Sequence, residues 1–396
     1  MKPLLISGFG TSINVDKRKL VITNKLEKER HEFYPHQIPY DSIIIDGNYG
    51  MITFEAIRWL MKHDIPLITL NWNGNLLSVT LPKELNSGKL RLKQYQKALD
   101  NAEKRKIALS FLDEKIKKSL DLLFKLSDYY ELSDKITLST SFKRVITKFK
   151  DSPDLLTYEG NIAILYWNEL QKVFTNLSPE FNFTNRNGRR QSWNMNASDE
   201  TNALLNYGYA ILESKVKVAI NSIGLDPAIS FLHETKDGRA SLVYDIQELY
   251  RWLIDLSVIQ LLEDKKIKKS DFIVTENYNI RLSSKVSSAL LGKITLNLNK
   301  SVEYKGKNHS YEFVLLDNVR NLANYVIGKG VTLSLNSPEI ELRREDVINL
   351  RGRILNITPE EARKLKINKS TLWYQKKNIK EGKKIKIYSK VKVKMG

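Results

Sequence analysis

The chain has 396 residues, 42% of them hydrophobic, which allows two or three domains with a sizeable core and excludes a disordered or fibrous protein. The absence of cysteine excludes disulfides, thiolate zinc sites and cysteine nucleophiles, and together with the lack of any apolar run of ~18 residues it predicts a cytoplasmic protein. Lysine and arginine number 64 against 45 acidic residues, and this net charge of +19 makes a polyanion the natural partner.

Residues 1–85 are predicted to form a small β-rich domain. Short β-branched or apolar runs, separated by glycine, asparagine and aspartate, are typical of strands. These runs begin at Leu4, Ser12, Lys19, Ser42 and Pro66. One helix interrupts them over Phe54–Met61, and Thr53 is its predicted N-cap.

Residues 86–335 are predicted to form a larger, all-α domain. Apolar positions recur at helical spacing over residues 91–127, and helical patterns return at 155–175, 200–223 and 243–264. Residues 176–198 are polar and rich in asparagine and arginine, which indicates a loop that a ligand could order.

Residues 340–396 are predicted to be a separate basic module. From residue 341 to the end, 17 lysines and arginines face 6 acids, so this segment carries +11 of the net charge. Thr358 is a predicted cap, Pro359 suits the first helical position, and Glu361 completes a capping box. A second helix is predicted over Thr371–Lys380, with Ser370 as its cap. The overall prediction is therefore an α+β protein that ends in a helix-turn-helix.

The second tail helix is predicted to contact DNA, because its side chains suit base edges and phosphates in a major groove. The alternative is an ordinary helical hairpin with a basic surface. The predicted DNA-binding residues of the tail are Lys369, Thr371, Gln375, Lys376 and Lys377.

Chemistry-bearing side chains stand in three other segments. Glu159 lies among apolar residues ahead of a long apolar helix, His233 follows an apolar run, and Asp245 and Glu248 are spaced to share a helix face. Taken alone, each has a more ordinary explanation: a helix cap or dipole partner, a core histidine, and a solvated face. Spacing alone does not make them a metal site, since no short metal-binding motif is present.

The segments around these residues resemble the CRISPR-associated endonuclease and integrase family, Cas1. The similarity lies in Glu159-Gly160, in the helix Asn202–Leu212, in the run Gly224–His233 and in the helix Asp245–Arg251, with a further match at Asp46–Thr53. It covers residues 1 to 335 in one order. Two departures are Ser230, where the family has glycine, and the segment 252–255. The basic tail is similar instead to the helix-turn-helix that ends casposases, which are Cas1-like transposon integrases.

The resemblance implies a metal-dependent DNA integrase with Glu159, His233 and Glu248 as ligands of Mg or Mn. A DNA 3′-hydroxyl would attack a target phosphodiester, which needs no ATP. The expected partners are double-stranded DNA with free 3′ ends, a target DNA and a second copy of the chain. The tail favours integration of casposon ends. The alternatives are a CRISPR adaptation integrase that inserts spacers with Cas2, a metal-dependent nuclease without joining activity, and a DNA-binding regulator without enzymatic activity.

Other residues take predicted supporting roles. Asp245, counted among the catalytic residues, either supports a metal ligand or lies near the phosphate. Arg251 either binds the scissile phosphate or forms a salt bridge to a neighbouring acid. In the polar loop, Arg186, Arg189 and Arg190 are predicted DNA backbone clamps, and Trp193 would stack on an unpaired base or fill a core edge.

Overall fold

The fold is known from a computed structural model, which describes residues 2–24, 29–71, 73–82, 87–130, 132–186, 197, 199–275, 279–330, 332–342, 354–355, 357–364 and 367–380. A strand-rich N-terminal part precedes a mostly helical remainder, so the predicted α+β class is confirmed. The predicted limits of the three domains stay predictions. Within the described ranges, no helix is both long and apolar enough to cross a membrane.

The N-terminal part is one mixed sheet. Its strands are β1 (Pro3–Asp16), β2 (Lys19–Asn24), β3 (Glu29–Phe33), β4 (Ser42–Ile52), β5 (Leu67–Leu70) and β6 (Leu76–Thr80). The order across the sheet is β3-β2-β1-β4-β5-β6, with β4 parallel to both β1 and β5 and the other pairs antiparallel. Helix α1 (Phe54–Lys62) crosses from β4 to β5, and Thr53 Oγ1 accepts the N–H of Ala56 at 3.1 Å, as predicted for its cap.

Two predicted strands are one in the structure. The runs beginning at Leu4 and Ser12 both belong to β1, which continues through Gly8 and Gly10 with shifts in its register against β4. Strands β1 and β4 approach closely at Gly50 of β4, where a Cβ would lie 2.6 Å from the carbonyl oxygen of Thr11. Strand β4 likewise extends to Ile52, through the family-like segment that begins at Asp46.

The remainder of the chain is built mainly from helices. They are α2 (Gly88–Leu99), α3 (Asn101–Leu126), α4 (Lys135–Phe149), α5 (Leu155–Leu177), α6 (Glu200–Ile223), α7 (Ser241–Glu248), α8 (Arg251–Glu263), α9 (Ser284–Leu298) and α10 (Tyr311–Val326). Two short hairpins that the helical period did not predict lie among them, β7–β8 (Phe272–Val274 and Ile280–Leu282) and β9–β10 (Ser301–Tyr304 and Lys307–Ser310). Tyr207 of α6 donates to the Asp46 carboxylate at 3.0 Å, which joins the helices to the sheet.

Helices α6 and α8 approach each other closely at Gly208. A Cβ at this glycine would lie 2.5 Å from Cγ2 of Ile254. We therefore expect Gly208→Ala to lower the free energy of unfolding by about 1–3 kcal/mol through overpacking, measured by urea denaturation. Gly292→Ala is the matched control, since a Cβ there meets nothing within 4 Å and alanine favours a helix. Equal unfolding midpoints for the two variants would contradict the close packing.

Residues 332–342, called the strap here, lie along α3 on the way to the tail. The backbone N–H of Ser337 donates to Glu114 Oε1 at 2.8 Å, and that of Ile340 donates to Asp121 Oδ2 at 2.8 Å. The buried ammonium of Lys118 donates to the carbonyl of Pro338. Charged side chains of one helix thus hold the strap by its backbone.

The tail contains α11 (Pro359–Lys364) and α12 (Lys369–Lys380). The predicted capping box is present, because Thr358 N–H donates to Glu361 at 3.0 Å and Glu361 N–H donates to Thr358 Oγ1 at 3.2 Å. Ser370 is not the cap of the second helix. Asn368 Oδ1 accepts the Ser370 N–H at 3.1 Å, so α12 starts earlier than predicted. That the pair is a DNA-binding helix-turn-helix stays a prediction.

Candidate active site

Asp245 organises the loop that carries His233. Helix α6 ends at Ile223, and Gly224 caps it with a φ of +92°, the left-handed conformation that glycine adopts readily. The loop then runs past Gln94 of α2, whose amide donates to the carbonyls of Asp226 and Ile229 at 2.9 Å each. Further on, the Asp245 carboxylate accepts three consecutive backbone N–H groups, those of residues 231, 232 and 233, at 2.7, 3.1 and 3.0 Å. The loop is therefore closed around one carboxylate.

The same carboxylate fixes the imidazole of His233. Nδ1 lies 2.8 Å from Asp245 Oδ1, and because a carboxylate accepts, Nδ1 donates and the lone pair is on Nε2. Burial alone would lower the pKa of His233, but the hydrogen bond and charge of Asp245 outweigh burial and raise it. Ser230, a departure from the family pattern, adds a hydrogen bond of 2.6 Å from its hydroxyl to the His233 carbonyl.

Of the two roles predicted for Asp245, the structure supports the first. Its side chain is fully buried, with 0% exposure, so contact with a phosphate is excluded. For the strand transfer that the resemblance implies, we expect Asp245→Asn to reduce the rate about 10- to 100-fold, because an amide cannot accept from all four donors and the imidazole loses its orientation. Glu213→Gln on α6 is a suitable control, since Glu213 accepts from Tyr244 outside this loop. Wild-type joining by Asp245→Asn would contradict the orienting role.

Glu159 and Glu248 meet at the side chain of Lys115. Glu159 lies in the second turn of α5, which Asp154 caps, so the alternative that Glu159 is itself a helix cap is wrong. Glu248 is the last residue of α7. The Lys115 ammonium, from α3, pairs with Glu159 Oε1 and lies 2.6 Å from Glu248 Oε2. Three helices thus bring two acids to one cation.

Burial and neighbouring charges shift the pKa values of Glu248 and Lys115 in opposite directions. Burial alone would raise the pKa of the Glu248 carboxyl, but Lys115 and Arg251 lower it to about 2. Burial opposes the charge on Lys115 as well, yet the two glutamates raise its pKa above the ordinary value. Glu248 and the ammonium are therefore charged at neutral pH, and Glu248 is not a proton donor there.

Arg251 forms the salt bridge that was one of its two predicted roles. Helix α7 stops at Glu248 and α8 starts at Arg251, so the predicted continuous helix over 243–264 is broken. Across this break, Arg251 Nη1 lies 3.3 Å from Glu248 Oε1, and its guanidinium lies 4.1 Å from the ring centre of Tyr209. Tyr209 and Tyr166 both donate to the buried Asp255, at 2.5 and 2.7 Å.

Arg186 was predicted to clamp DNA, but in the structure its guanidinium holds the loop against α6. It donates to the amide oxygens of Asn202 and Asn206 at 2.7 and 3.0 Å and lies over the rings of Trp167 and Tyr209. Arg189, Arg190 and Trp193 lie outside the described residues. The three loop arginines as a DNA clamp therefore stay a prediction.

A cavity of about 710 Å³ opens beside the two glutamates. Its charged lining consists of Lys115, Glu159, Arg186, Glu248, Arg251 and Asp255. The α5 face along it carries no charged residue between Glu159 and Glu169, and Ile164 is exposed on it. The cavity joins a charged end, suited to a phosphate and a cation, to an uncharged wall.

The donor set fits a divalent metal. Two carboxylates and one imidazole suit Mg²⁺ or Mn²⁺, both carboxylates already converge on one cation, and their charges act on His233. Across the residues that the structure describes, no three histidine or acidic side chains are gathered so that they could hold an ion. The ammonium of Lys115 stands between two of the three predicted ligands.

Lys115 is the residue that sequence reasoning missed. It belongs to an amphipathic helix in which Lys115, Lys117 and Lys118 follow each other closely, and periodicity alone does not single out one of them. The structure separates their environments: Lys115 meets the glutamates, Lys117 is exposed, and Lys118 is buried against the strap.

The tail residues divide by exposure. Lys369 and Lys377 are exposed and Thr371 is half-buried, as DNA contacts would allow. Gln375 is only 4% exposed, and Lys376 donates to the Ile357 carbonyl at 2.8 Å. The prediction that Gln375 contacts DNA stays a prediction, although α12 turns its side chain inward in this arrangement. The exposed aromatic residues of this helix are Trp373 and Tyr374.

Comparison with known proteins follows the same segments. The family model of CRISPR associated protein Cas1 matches residues 4–295. A CRISPR-associated endonuclease Cas1 from Archaeoglobus fulgidus is 26% identical over 346 residues, which cover 82% of this chain and 96% of that protein. A second one, from Francisella tularensis subsp. novicida, is 28% identical over 336 residues, with 83% and 97% covered.

Solved structures show the same relationship. A casposase bound to integration product superposes with a TM-score of 0.79 at 38% identity, covering 90% of this chain and 99% of that one. A Cas1 protein from Thermotoga maritima shares the fold at a TM-score of 0.69 and 19% identity, with 85% and 100% covered. Matched by the family model over residues 4–295 and 38% identical to a solved relative across 90% of its length, this chain belongs to the Cas1 family of DNA endonucleases and integrases.

Proposed function

We propose that this protein is a metal-dependent DNA integrase that joins a DNA 3′-hydroxyl to a target phosphodiester, in the manner of a casposase. One observation carries the proposal. Glu159 and Glu248 converge on a single cation, and their charges act on the oriented imidazole of His233, in a chain 38% identical to a casposase bound to integration product.

The reaction exchanges one phosphodiester for another. The donor 3′ oxygen forms a bond to the target phosphorus while the bond from phosphorus to the target 3′ oxygen breaks. The proton of the attacking hydroxyl ends on the departing 3′-hydroxyl, so neither water nor ATP is consumed. A bound Mg²⁺ or Mn²⁺ would stabilise negative charge in the transition state and lower the pKa of the attacking hydroxyl.

The residues of the chain divide the remaining work. Glu159, Glu248 and Nε2 of His233 would hold the cation, and Asp245 keeps the imidazole in the orientation that this requires. Arg251 lies across the helix break from Glu248 and lines the same cavity. There the N–H groups that do not pair with Glu248 suit a phosphate oxygen. The cavity positions the reacting ends, and positioning is a large part of such catalysis.

DNA binding and assembly complete the proposal. The basic tail supplies phosphate contacts, and the exposed Lys369, Lys377 and Trp373 of α12 suit a groove. Joining two DNA ends needs at least two active sites, so the working form is proposed to be a dimer or larger. Its donor would be the end of a casposon.

A CRISPR adaptation integrase that inserts spacers with Cas2 is the second candidate. It is favoured by the CRISPR-associated endonucleases that are 26% and 28% identical over most of this chain. The two candidates share their chemistry and differ in the donor, so a donor comparison separates them. A nuclease without joining activity is the third, and it would hydrolyse DNA without forming a joined product.

The test is an integration assay with sequenced junctions. Donors that carry inverted-repeat ends or spacer-like ends, each with a 3′-hydroxyl or a 3′-deoxy terminus, are mixed with plasmid target and Mn²⁺ or Mg²⁺. We expect joined product from the hydroxyl donors, with inverted-repeat ends preferred. Spacer-like ends that join only when Cas2 is added would favour the adaptation role. Joining by the 3′-deoxy donor would sink the proposed nucleophile, and cleavage without joining would favour the nuclease.

A further inference from the structure

Helix α3 positions Lys115 so that its ammonium contacts the two glutamates, Glu159 and Glu248. Its neighbours on α3 serve the strap: Glu114 accepts from Ser337, and Lys118 donates to Pro338. The side chain of Lys115 turns the other way, is 12% exposed, and pairs with both Glu159 and Glu248. A lysine on a solvated surface would have no reason to take this geometry.

The ammonium performs the electrostatic task of a metal ion. Two carboxylates that share a buried site repel each other unless a cation lies between them. Lys115 provides that cation, and the Glu248 side chain it pairs with is 5% exposed, so solvent screens the pair poorly. Without either lysine or metal, the two glutamates would repel each other and separate.

The Lys115 ammonium and a divalent metal ion cannot occupy the space between the two glutamates at the same time. Lys115 and Arg251 already balance the charges of Glu159 and Glu248. A divalent ion between the same oxygens would lie within a few ångströms of the ammonium, and like charges at such distances repel strongly in a buried site. The ammonium has somewhere to go, because Lys115 also lines the adjoining cavity.

We propose that Lys115 is an exchangeable counter-ion, which holds Glu159 and Glu248 together in the metal-free enzyme and must be displaced when a divalent metal binds. This inference rests on the proposed metal site and goes beyond it, because it states what the metal competes with. It predicts that the lysine weakens metal binding while it stabilises the metal-free fold.

The experiment measures metal binding without DNA and without turnover. Mn²⁺ affinity is determined by calorimetric titration, and the thermal midpoint is recorded with and without Mn²⁺, for the wild type, Lys115→Met and Lys117→Met. Lys117→Met is the matched control, since Lys117 is exposed on the same helix. Methionine keeps most of the length of the side chain and removes its charge.

We expect Lys115→Met to bind Mn²⁺ at least ten-fold more tightly than the wild type. We also expect it to melt at a lower temperature without metal and to gain more from Mn²⁺ than the wild type does. Lys117→Met should match the wild type in all three. If Lys115→Met does not fold, Lys115→Gln replaces it, since its amide can donate hydrogen bonds to the two glutamates and the substitution removes the same charge.

The two proposals fail differently. Unchanged or weaker Mn²⁺ affinity in Lys115→Met, with metal-dependent joining by the wild type, would overturn the exchange and leave the proposed function standing. Absence of Mn²⁺ and Mg²⁺ binding in all the proteins would overturn both. Tighter binding with a lower metal-free melting temperature is the one outcome that supports the exchange.

Discussion

Replacing His233 by alanine is expected to reduce strand transfer by roughly a thousand-fold while leaving DNA affinity unchanged. The reduction corresponds to about 4 kcal/mol of transition-state stabilisation, within the several kcal/mol that a correctly held metal contributes. DNA affinity persists because the change removes no basic residue from the tail or the cavity. The measurement is a time course of joined product with sequenced junctions, beside a filter-binding isotherm on the same DNA.

His31→Ala is the matched control for this change. His31 lies on β3 of the N-terminal sheet, stacks on Phe33 and lies 3.7 Å from Glu29, and so belongs to a different part of the fold from the loop that Asp245 organises. We expect it to join DNA at the wild-type rate. Full joining by His233→Ala would refute the imidazole as a metal ligand, whereas parallel loss of joining and folding would show a structural role, which circular dichroism would reveal.

Removing residues 343–396 is expected to weaken DNA binding about 100-fold at ~0.15 M salt and to flatten its salt dependence. The deleted segment carries 17 basic and 5 acidic residues, a net charge of +12. Each lost phosphate contact lowers the slope of log K against log salt by about 0.9, so a slope reduced by about 4 is expected. Truncation after Leu342 keeps the strap and its contacts with α3.

A shorter deletion separates the two tail helices from the basic end of the chain. Residues 381–396 contain six basic residues and one acid, and removing them leaves α12 whole. We expect this deletion to reduce the slope by about half as much as the longer one, with the remainder lost only when α11 and α12 are removed. An unchanged salt slope after the longer deletion would show that the tail does not bind DNA.

Most of the helices and strands could be predicted from the sequence because each one obeys a local rule. Thr53 and Glu361 lie at helix starts by capping chemistry, and the apolar period of α5 and α6 marks a buried face. Gly10 misled the same reasoning. Glycine between apolar runs usually marks a turn, but in β1 it lies inside a strand that a parallel neighbour continues.

The site was predictable only in part, because its geometry depends on long-range packing. The resemblance picked out Glu159, His233 and Glu248, and the structure brings the two glutamates to one cation, with charges that act on the histidine. Lys115 comes from a helix 44 residues before Glu159, in a stretch with no motif. The burial of Gln375 was unforeseen for a similar reason, since the inward face of a short tail helix depends on what packs against it.

The Asp245 carboxylate accepts from four N–H groups, so the shape of the loop and the orientation of the imidazole both depend on this one side chain. A substitution of Asp245 that shifts the imidazole of His233 also releases the backbone of residues 231–233. Engineering of the proposed donor specificity therefore has to start elsewhere, on the α5 side of the cavity. There Gly160 has open space above it and Ile164 is exposed along the cavity, so side chains can be enlarged without touching a buried hydrogen bond.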